Sequence, residues 1–342
     1  MTKLNILLRT AGGSAKQKKL GFGHINRCIS LAENLKKCKI SFLVEDYGGG
    51  EDFIRKKGFN VILKLDKSKS LIQEFKIIKK IVFQNNIDVL IFDKYKPNKN
   101  YIKKLRKIVK IVIITDLYNF DYSADLVING FIGLQNRKIR NKNKSFCLLG
   151  PSYQILNKKF NENRIKNNPK FDILLTFGGF DEKNILNEIL FYLKKYQSKF
   201  KIRAILGPGT KKMKNFKEYE EFFGNNLSIA NKTSDMKKEM ENSRFGICSG
   251  GITTYEFARL NIPFAIICQE KHQLKTAEEW EKQKIAVNLG LIGKNSKKIK
   301  KFIIQIIEDD LLSFKIKKNF IDGKGASKVA LEISKLKSSN FK

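Results

Sequence analysis

Two histidines occur in the 342 residues. One of them, His24, lies in the stretch Gly-Phe-Gly-His-Ile-Asn-Arg-Cys that runs from Gly21 to Cys28, just behind an early apolar run. Glycines at 12, 13, 21 and 23 let the segment from Arg9 to His24 turn sharply and bring its backbone close to a ligand. Ile25, Cys28, Ile29, Ala32 and Leu35 recur at helical spacing, which predicts a helix over 25–35 with Gly23 and His24 at its N-terminus. The positive end of the helix dipole disfavours an imidazolium there, and a neutral imidazole can take a proton from water or a hydroxyl. General-base chemistry is one expectation; a histidine that only caps its helix is the plainer one.

A second cluster has the residue types of an anion site. Cys248 to Glu256 reads Cys-Ser-Gly-Gly-Ile-Thr-Thr-Tyr-Glu, which places Gly250 and Gly251 at a strand end and Thr253, Thr254 and Glu256 in the first turns of a helix. Free backbone N–H groups and the helix dipole favour a phosphate at such a turn. Phe-Gly-Gly-Phe-Asp-Glu-Lys-Asn, with Gly178 and Gly179 behind another apolar run, offers a similar turn. Simple tight turns are the alternative use of both glycine pairs. No Asp-x-Asp pair follows a strand in the manner of metal-dependent transferases, and the residues call for neither a metal nor a cofactor.

The elements that must position these residues alternate along the chain. Strands are expected at 4–9, 40–45, 60–65, 88–93, 111–116 and 125–130, with helices at 25–35, 71–85 and 98–107 between them. The same rhythm restarts with strands at 171–179, 201–207, 227–231, 245–251 and 263–269 and ends with a helix over 326–336. Short Ile, Val and Leu runs separated by helices predict parallel sheets covered on both faces. The chain length suits two domains of roughly 150 residues each. The expected division is residues 1–150, a linker at 151–169 carrying Gly150, Pro151 and Pro169 at its edges, and a second α/β domain over 170–342.

Composition removes several classes. The five cysteines are widely spaced without a Cys-x-x-Cys pair, so a disulfide framework or zinc site is not expected. The net charge of +35 comes mostly from Lys spread over almost every element, which argues against specific nucleic-acid recognition while allowing weak, salt-sensitive attraction to polyanions, a diphosphate included. No early segment has the order of a secretory signal, and no apolar run approaches the roughly 20 residues of a membrane helix; the expectation is a cytoplasmic protein. A peripheral membrane contact and the oligomeric state stay open.

Seven segments, in order, carry a resemblance over nearly the whole chain: GFGHINRCISLAENL, IFDKY, ITDLYNFDYSADLVING, LLGPSYQILNKKF, ILLTFGGFDEKN, CSGGITTYEFARLNIPFAII and IDGKGASKVA. They are similar to the PseG/SpsG-type family, nucleotide-sugar hydrolases of pseudaminic acid synthesis and their relatives in spore-coat polysaccharide synthesis. The resemblance implies a GT-B architecture: two Rossmann-like doubly wound domains facing a central cleft. It implies that His24 is the base that activates water, releasing UDP from a UDP-2,4-diacetamido-2,4,6-trideoxyhexose with inversion. It further implies sugar contacts from Arg9, Gly23, Asp93, Tyr95, Asp116 and Asn129. On the nucleotide side it implies UDP contacts from Gly178, Gly179, Ser249, Gly250, Gly251, Ile252, Thr253, Glu256, His272 and Gln273, with Glu256 on the ribose. His272 otherwise reads as an exposed loop residue.

The departures from the family pattern fall on the sugar side. The loop after Arg9 is longer and lacks an acid, Asp-His-Tyr has become Asp-Lys-Tyr with Lys94, and an Asp-Asp pair is Thr115-Asp116. An inverting glycosyltransferase, with His24 deprotonating an acceptor hydroxyl, is therefore the alternative enzyme, and a non-catalytic binding protein is the third reading.

Overall fold

The computed structural model describes residues 3–13, 21–66, 70–94, 96–165, 168–207, 216–308 and 321–336. The chain divides into two compact units, one formed by Met1–Lys158 with Gly323–Lys342 and the other by Lys159–Asp322.

The first unit contains β1 (Asn5–Gly12), α1 (Gly23–Ala32), β2 (Lys39–Asp46), α2 (Gly50–Lys56), β3 (Asn60–Leu65), α3 (Leu71–Gln84), β4 (Val89–Asp93), α4 (Lys99–Leu105), β5 (Lys110–Ile114), β6 (Leu126–Asn129), β7 (Arg137–Arg140) and β8 (Phe146–Leu149). The strands form one sheet in the order β3-β2-β1-β4-β5-β6-β8-β7. Its pairs are parallel except for the closing β7–β8 hairpin. β1 and β4 lie side by side at its centre with Arg9 opposite Phe92, and their apolar side chains are fully buried or nearly so. That burial on both faces is why these strands read as unbroken apolar runs. Local chemistry sets the helix starts: Ser70 and Gln73 form a capping box on α3, and the Asn98 side chain accepts from Tyr101 N–H at the start of α4.

The second unit contains β9 (Phe171–Thr176), α5 (Ile185–Lys195), β10 (Ile202–Ile205), α6 (Phe216–Phe223), β11 (Leu227–Ala230), α7 (Met236–Glu241), β12 (Ser243–Cys248), α8 (Thr253–Leu260), β13 (Phe264–Cys268), α9 (Leu274–Lys282), β14 (Ala286–Leu291) and α10 (Ser296–Glu308). Its sheet, ordered β11-β10-β9-β12-β13-β14, is parallel throughout. In each sheet the strand order reverses between the unit's first and fourth strands, β1 and β4 or β9 and β12. The carboxyl edge at such a reversal is where doubly wound sheets take their ligands.

Two features of the expected domain division are corrected. Residues up to 158 belong to the first unit, because Ile155 and Leu156 are buried, Ile155 in the first unit's apolar core. The last helix, α11 (Gly325–Ser334), also returns to the first unit, where Ala326, Val329, Ala330 and Ile333 join the same core as Ile25 and Ile29 of α1. Its start fits only a glycine, since a Cβ on Gly325 would lie 2.1 Å from the Gln154 carbonyl oxygen. The strands β7, β8 and β14 were not anticipated: β7 is short, charged and on an edge, β8 has four residues, and β14 contains Asn288 and Gly290.

If α11 completes the first core, Ile333→Ala should lower stability by about 2–4 kcal/mol, as deletion of a fully buried side chain typically does. Urea unfolding measures it, and a loss below about 0.5 kcal/mol, the range of ordinary surface substitutions, would contradict the packing.

Candidate functional site

The central strand reversal of the first unit brings His24 and Asp93 together. His24 sits in the first turn of α1, which follows β1, and Asp93 is the last residue of β4. Nδ1 of His24 lies 2.7 Å from Oδ1 of Asp93. A carboxylate only accepts, so this contact places a hydrogen on Nδ1, and in the neutral ring Nε2 is then the nitrogen that carries the lone pair. The His24 side chain is 16% exposed and that of Asp93 is 0% exposed.

Arg27, one turn along α1, closes the arrangement. Its Nε and Nη2 donate to Oδ2 and Oδ1 of Asp93 at 2.8 and 2.6 Å, and its Nη1 and Nη2 donate to Asp116 at 2.6 and 3.3 Å. Nη2 also lies 3.2 Å from His24 Nδ1, but both nitrogens carry hydrogens and both point them at Asp93. The Cys28 thiol completes the shell of Asp93, with Sγ 3.6 Å from Oδ2. Burial by itself would push the Asp93 carboxyl up; the charge of Arg27 and the imidazole of His24 outweigh it and hold the group well below the usual carboxylate range. The same Asp93 charge, added to burial, pushes the Cys28 thiol well above its ordinary value.

The expected sugar contacts divide. His24 stands at the carboxyl edge of the sheet, and an added Cβ on Gly23 would meet nothing within 4 Å, so the backbone beside it is open to approach. Asp116 keeps a side chain that is 48% exposed. Asp93 is corrected from a ligand contact to the residue beneath His24, since no part of its side chain reaches solvent. Arg9 is likewise corrected: it is 0% exposed and its guanidinium is spent on Glu74 and Glu45 at 3.0 and 2.6 Å and on the Thr10 carbonyl. Asn129 is buried, donating to the carbonyls of Leu117 and Asn119 and accepting from Phe131 N–H, and so holds the loop that follows Asp116 rather than facing out. Tyr95 and residues 14–20 of the lengthened loop lie outside the described residues. Lys94, the departure from the family's histidine, donates to Glu45 at 2.6 Å. Glu45 also accepts from Arg9 and the Tyr47 hydroxyl, and although burial opposes it these donors bring its carboxyl down to about 2.

Arg27 is the functional candidate that sequence reasoning missed. Its signal was its place three residues after His24, the spacing that puts two side chains on one helical face. Glycines 12 and 13 also turned out to serve the chain itself, since Cβ atoms there would lie 2.8 Å from Gly21 O and 2.4 Å from the Tyr47 backbone.

In the second unit three strand-end loops are tied together. Gln273 Oε1 accepts from Gln269 N–H at 2.8 Å, and Gln269 Nε2 donates to the Phe177 carbonyl at 2.7 Å, joining the loop after β13 to the one after β9. Gln273 also backs the turn after β12, where a Cβ on Gly250 would lie 2.8 Å from Gln273 Cβ. The Gln273 oxygen, expected on the nucleotide, is thus engaged in building the loops. His272 stands exposed in the short helical turn Lys271–Gln273. Gly178 has φ +79° and Gly207 packs against its carbonyl, which requires glycine at both positions.

The turn Ser249 to Thr253 is open in the way an anion site requires. The backbone N–H groups of Gly250, Ile252 and Thr253 have no hydrogen-bond partner among the described residues, and a Cβ on Gly251 would meet nothing within 4 Å. Thr254 braces the turn, donating to Gly251 O at 2.8 Å and accepting from Trp280 Nε1 at 2.9 Å. Glu256, one turn into α8, is partly buried, and burial alone pushes its carboxyl up to about 7. Among the described residues no donor or cation is paired with it.

Comparison with known proteins agrees with this geometry. Residues 173–331 match the glycosyltransferase family 28 C-terminal domain. The fold is GT-B: the chain superposes on MurG of Acinetobacter baumannii with TM-score 0.67 at 14% identity, covering 97% of this chain and 99% of that one. It is 27% identical over 284 residues to the spore coat polysaccharide biosynthesis protein SpsG of Bacillus subtilis, covering 79% of this chain and 80% of that protein. It is 29% identical over 287 residues to the uncharacterized protein MJ1062 of Methanocaldococcus jannaschii, covering 77% of this chain but spanning only 56% of that protein's length. The chain is thus similar in sequence to SpsG and has the GT-B fold. Among the described residues no helix is long and apolar enough to cross a membrane.

Glu256 makes a checkable contribution to stability. The unfolded chain releases this proton near 4.5 and the folded chain near 7, so between those values the folded state binds more protons and stability falls as pH rises. Glu256→Gln, which keeps the neutral form, should gain on the wild type across that window by up to about 3 kcal/mol and by nothing further above it. Denaturant titrations at pH 4.5 and pH 8 measure the difference; an equal gap at both pH values would refute the burial of an unpaired carboxyl.

Proposed function

We propose that this chain is a nucleotide-sugar hydrolase that cleaves UDP from a UDP-2,4-diacetamido-2,4,6-trideoxyhexose or a close analogue with inversion. The observation that carries the proposal is the His24–Asp93 contact, which supplies a base at the carboxyl edge of a doubly wound sheet. The family resemblance, the SpsG relationship and the glycosyltransferase family 28 C-terminal match support the substrate class.

In the proposed reaction His24 Nε2 takes a proton from water as the water oxygen attacks the anomeric carbon. The bond from that carbon to the diphosphate oxygen breaks, and UDP leaves with the electron pair. Asp93, kept ionised by Arg27, holds the Nδ1 proton in place and stabilises the imidazolium as it forms, the division of labour of a histidine and its supporting carboxylate in acyl transfer. The second unit takes the nucleotide: free N–H groups at Gly250, Ile252 and Thr253 face the diphosphate from the start of α8, with Ser249 and Gly251 shaping the turn and Gly178 and Gly179 offering a further approach. The Ile252 backbone meets the base, and His272 contributes a polar contact to the diphosphate or sugar. Glu256 accepts the ribose hydroxyls, which compensate its desolvated charge. Asp116, half-exposed beside Arg27, accepts from a hydroxyl or amide of the sugar.

The same base would serve an inverting glycosyltransferase, with an acceptor hydroxyl replacing water, and turnover without acceptor separates the two. Purified protein given a panel of UDP-diacetamido-trideoxyhexoses should release UDP, and His24→Ala should lose about 10²–10⁴-fold in turnover while retaining UDP affinity. UDP bound but never released without an acceptor would favour the transferase; undiminished turnover in His24→Ala would remove this residue from the chemistry.

A further inference from the structure

We infer that Arg27 is a positioning residue that balances the charge of Asp93 and so keeps His24 a free base in a single tautomer. The inference rests on the reading of His24 as the base, and it concerns a side chain that touches the imidazole's partner rather than the substrate.

Three observations carry it. First, Asp93 is a carboxylate with no exposed side-chain surface, and it stands 2.7 Å from the His24 imidazole. An uncompensated charge in that position is strongly unfavourable, and the nearest way to relieve it is to capture a proton on His24. A histidine held permanently as imidazolium accepts nothing. Second, the compensating cation is a fork and not a point charge: Nε and Nη2 of Arg27 meet the two oxygens of Asp93 at 2.8 and 2.6 Å, which fixes the carboxylate plane and with it the direction in which Oδ1 meets Nδ1. Third, the guanidinium is shared. Asp116 takes Nη1 at 2.6 Å and Nη2 at 3.3 Å from the other side, so Arg27 gives Asp93 only part of its charge.

The charged and titratable groups around the His24 ring are thus Asp93 from β4 and Arg27 from α1, which meet it directly, and behind them the Cys28 thiol of α1 on Asp93 and Asp116 of the segment after β5 on Arg27. The thiol stays neutral because burial and Asp93 both oppose its ionisation. Removing Arg27 leaves two carboxylates and a ring, and the ring takes the proton. Removing the charge of Asp116 leaves Arg27 wholly to Asp93, and the ring becomes harder to protonate.

The test reads the imidazole directly and needs no substrate, so its outcome is separate from whether the protein hydrolyses a UDP-sugar. With two histidines in the chain, ¹⁵N ring resonances of the labelled full-length protein assign readily, His272→Gln identifying the second set. Wild type at alkaline pH should show His24 protonated on Nδ1 alone. Arg27→Met should keep both nitrogens protonated to a pH at least about one unit higher, a tenfold change in proton affinity. Arg27→Lys, which restores the charge without the fork, should return the protonation toward wild type while leaving the two tautomers mixed. Should Arg27→Met fail to fold, Asp116→Asn carries the test, because that side chain is half-exposed and its loss should move His24 protonation to lower pH. Ring signals that follow the wild-type titration in Arg27→Met, or in Asp116→Asn where that variant carries the test, overturn the inference.

Discussion

A carboxylate buried at the end of a central parallel strand must be neutralised where it stands, and the first unit is arranged around that requirement. Asp93 closes β4 beside β1, so every group that satisfies it must come from the start of α1, the helix that β1 leads into. His24, Arg27 and Cys28 do so from one face of that helix. The apolar side of α1 is then held against the core by Ile25, Ile29 and Ala32, with α11 packed on it from the far end of the chain. Packing and charge agree on one position for His24, which is the preorganisation that the proposed base role requires.

The second unit solves a different problem with the same topology. Its strand reversal also lies between the first and fourth strands, but it presents backbone N–H groups and a single unpaired carboxyl instead of a network of ions. An anion and a pair of hydroxyls would complete both. The burial of Glu256 is a cost that no partner among the described residues offsets, while the buried pairs around Arg9 and Arg27 are satisfied within the chain. The net charge of +35 therefore says little about the site itself: Arg9, Arg27 and Lys94 there face Glu45, Glu74, Asp93 and Asp116, and the excess lysines lie elsewhere.

Much of the fold was legible because parallel strands buried on both faces leave unbroken apolar runs, and because α1, α3 and α4 keep their helical spacing. β7 and β14 were not legible, since a charged edge and an Asn-containing strand carry no such signal. The return of α11 was invisible for another reason: its buried small residues fit any apolar surface, and only contact with α1 and Gln154 decides which. The site shows the same divide. His24, Gly250, Gly251 and Glu256 announce themselves by local pattern. Arg9 does not, because its partners Glu74 and Glu45 are 65 and 36 positions away and turn an expected ligand contact into a core ion pair. Asp93 was visible as a polar residue at a strand end, while its role under His24 depends on β1 and β4 being neighbours.

The central claim is that the His24 base directs an oxygen nucleophile at an anomeric carbon rather than at phosphorus. Turnover of a UDP-sugar by the purified protein in H₂¹⁸O, with the products analysed by mass spectrometry and NMR, tests it most directly. The account predicts ¹⁸O on the anomeric carbon of a freshly released, inverted sugar and none in UDP. Label in the β-phosphate of UDP would mean that the phosphorus–oxygen bond is the one cleaved, and would contradict it.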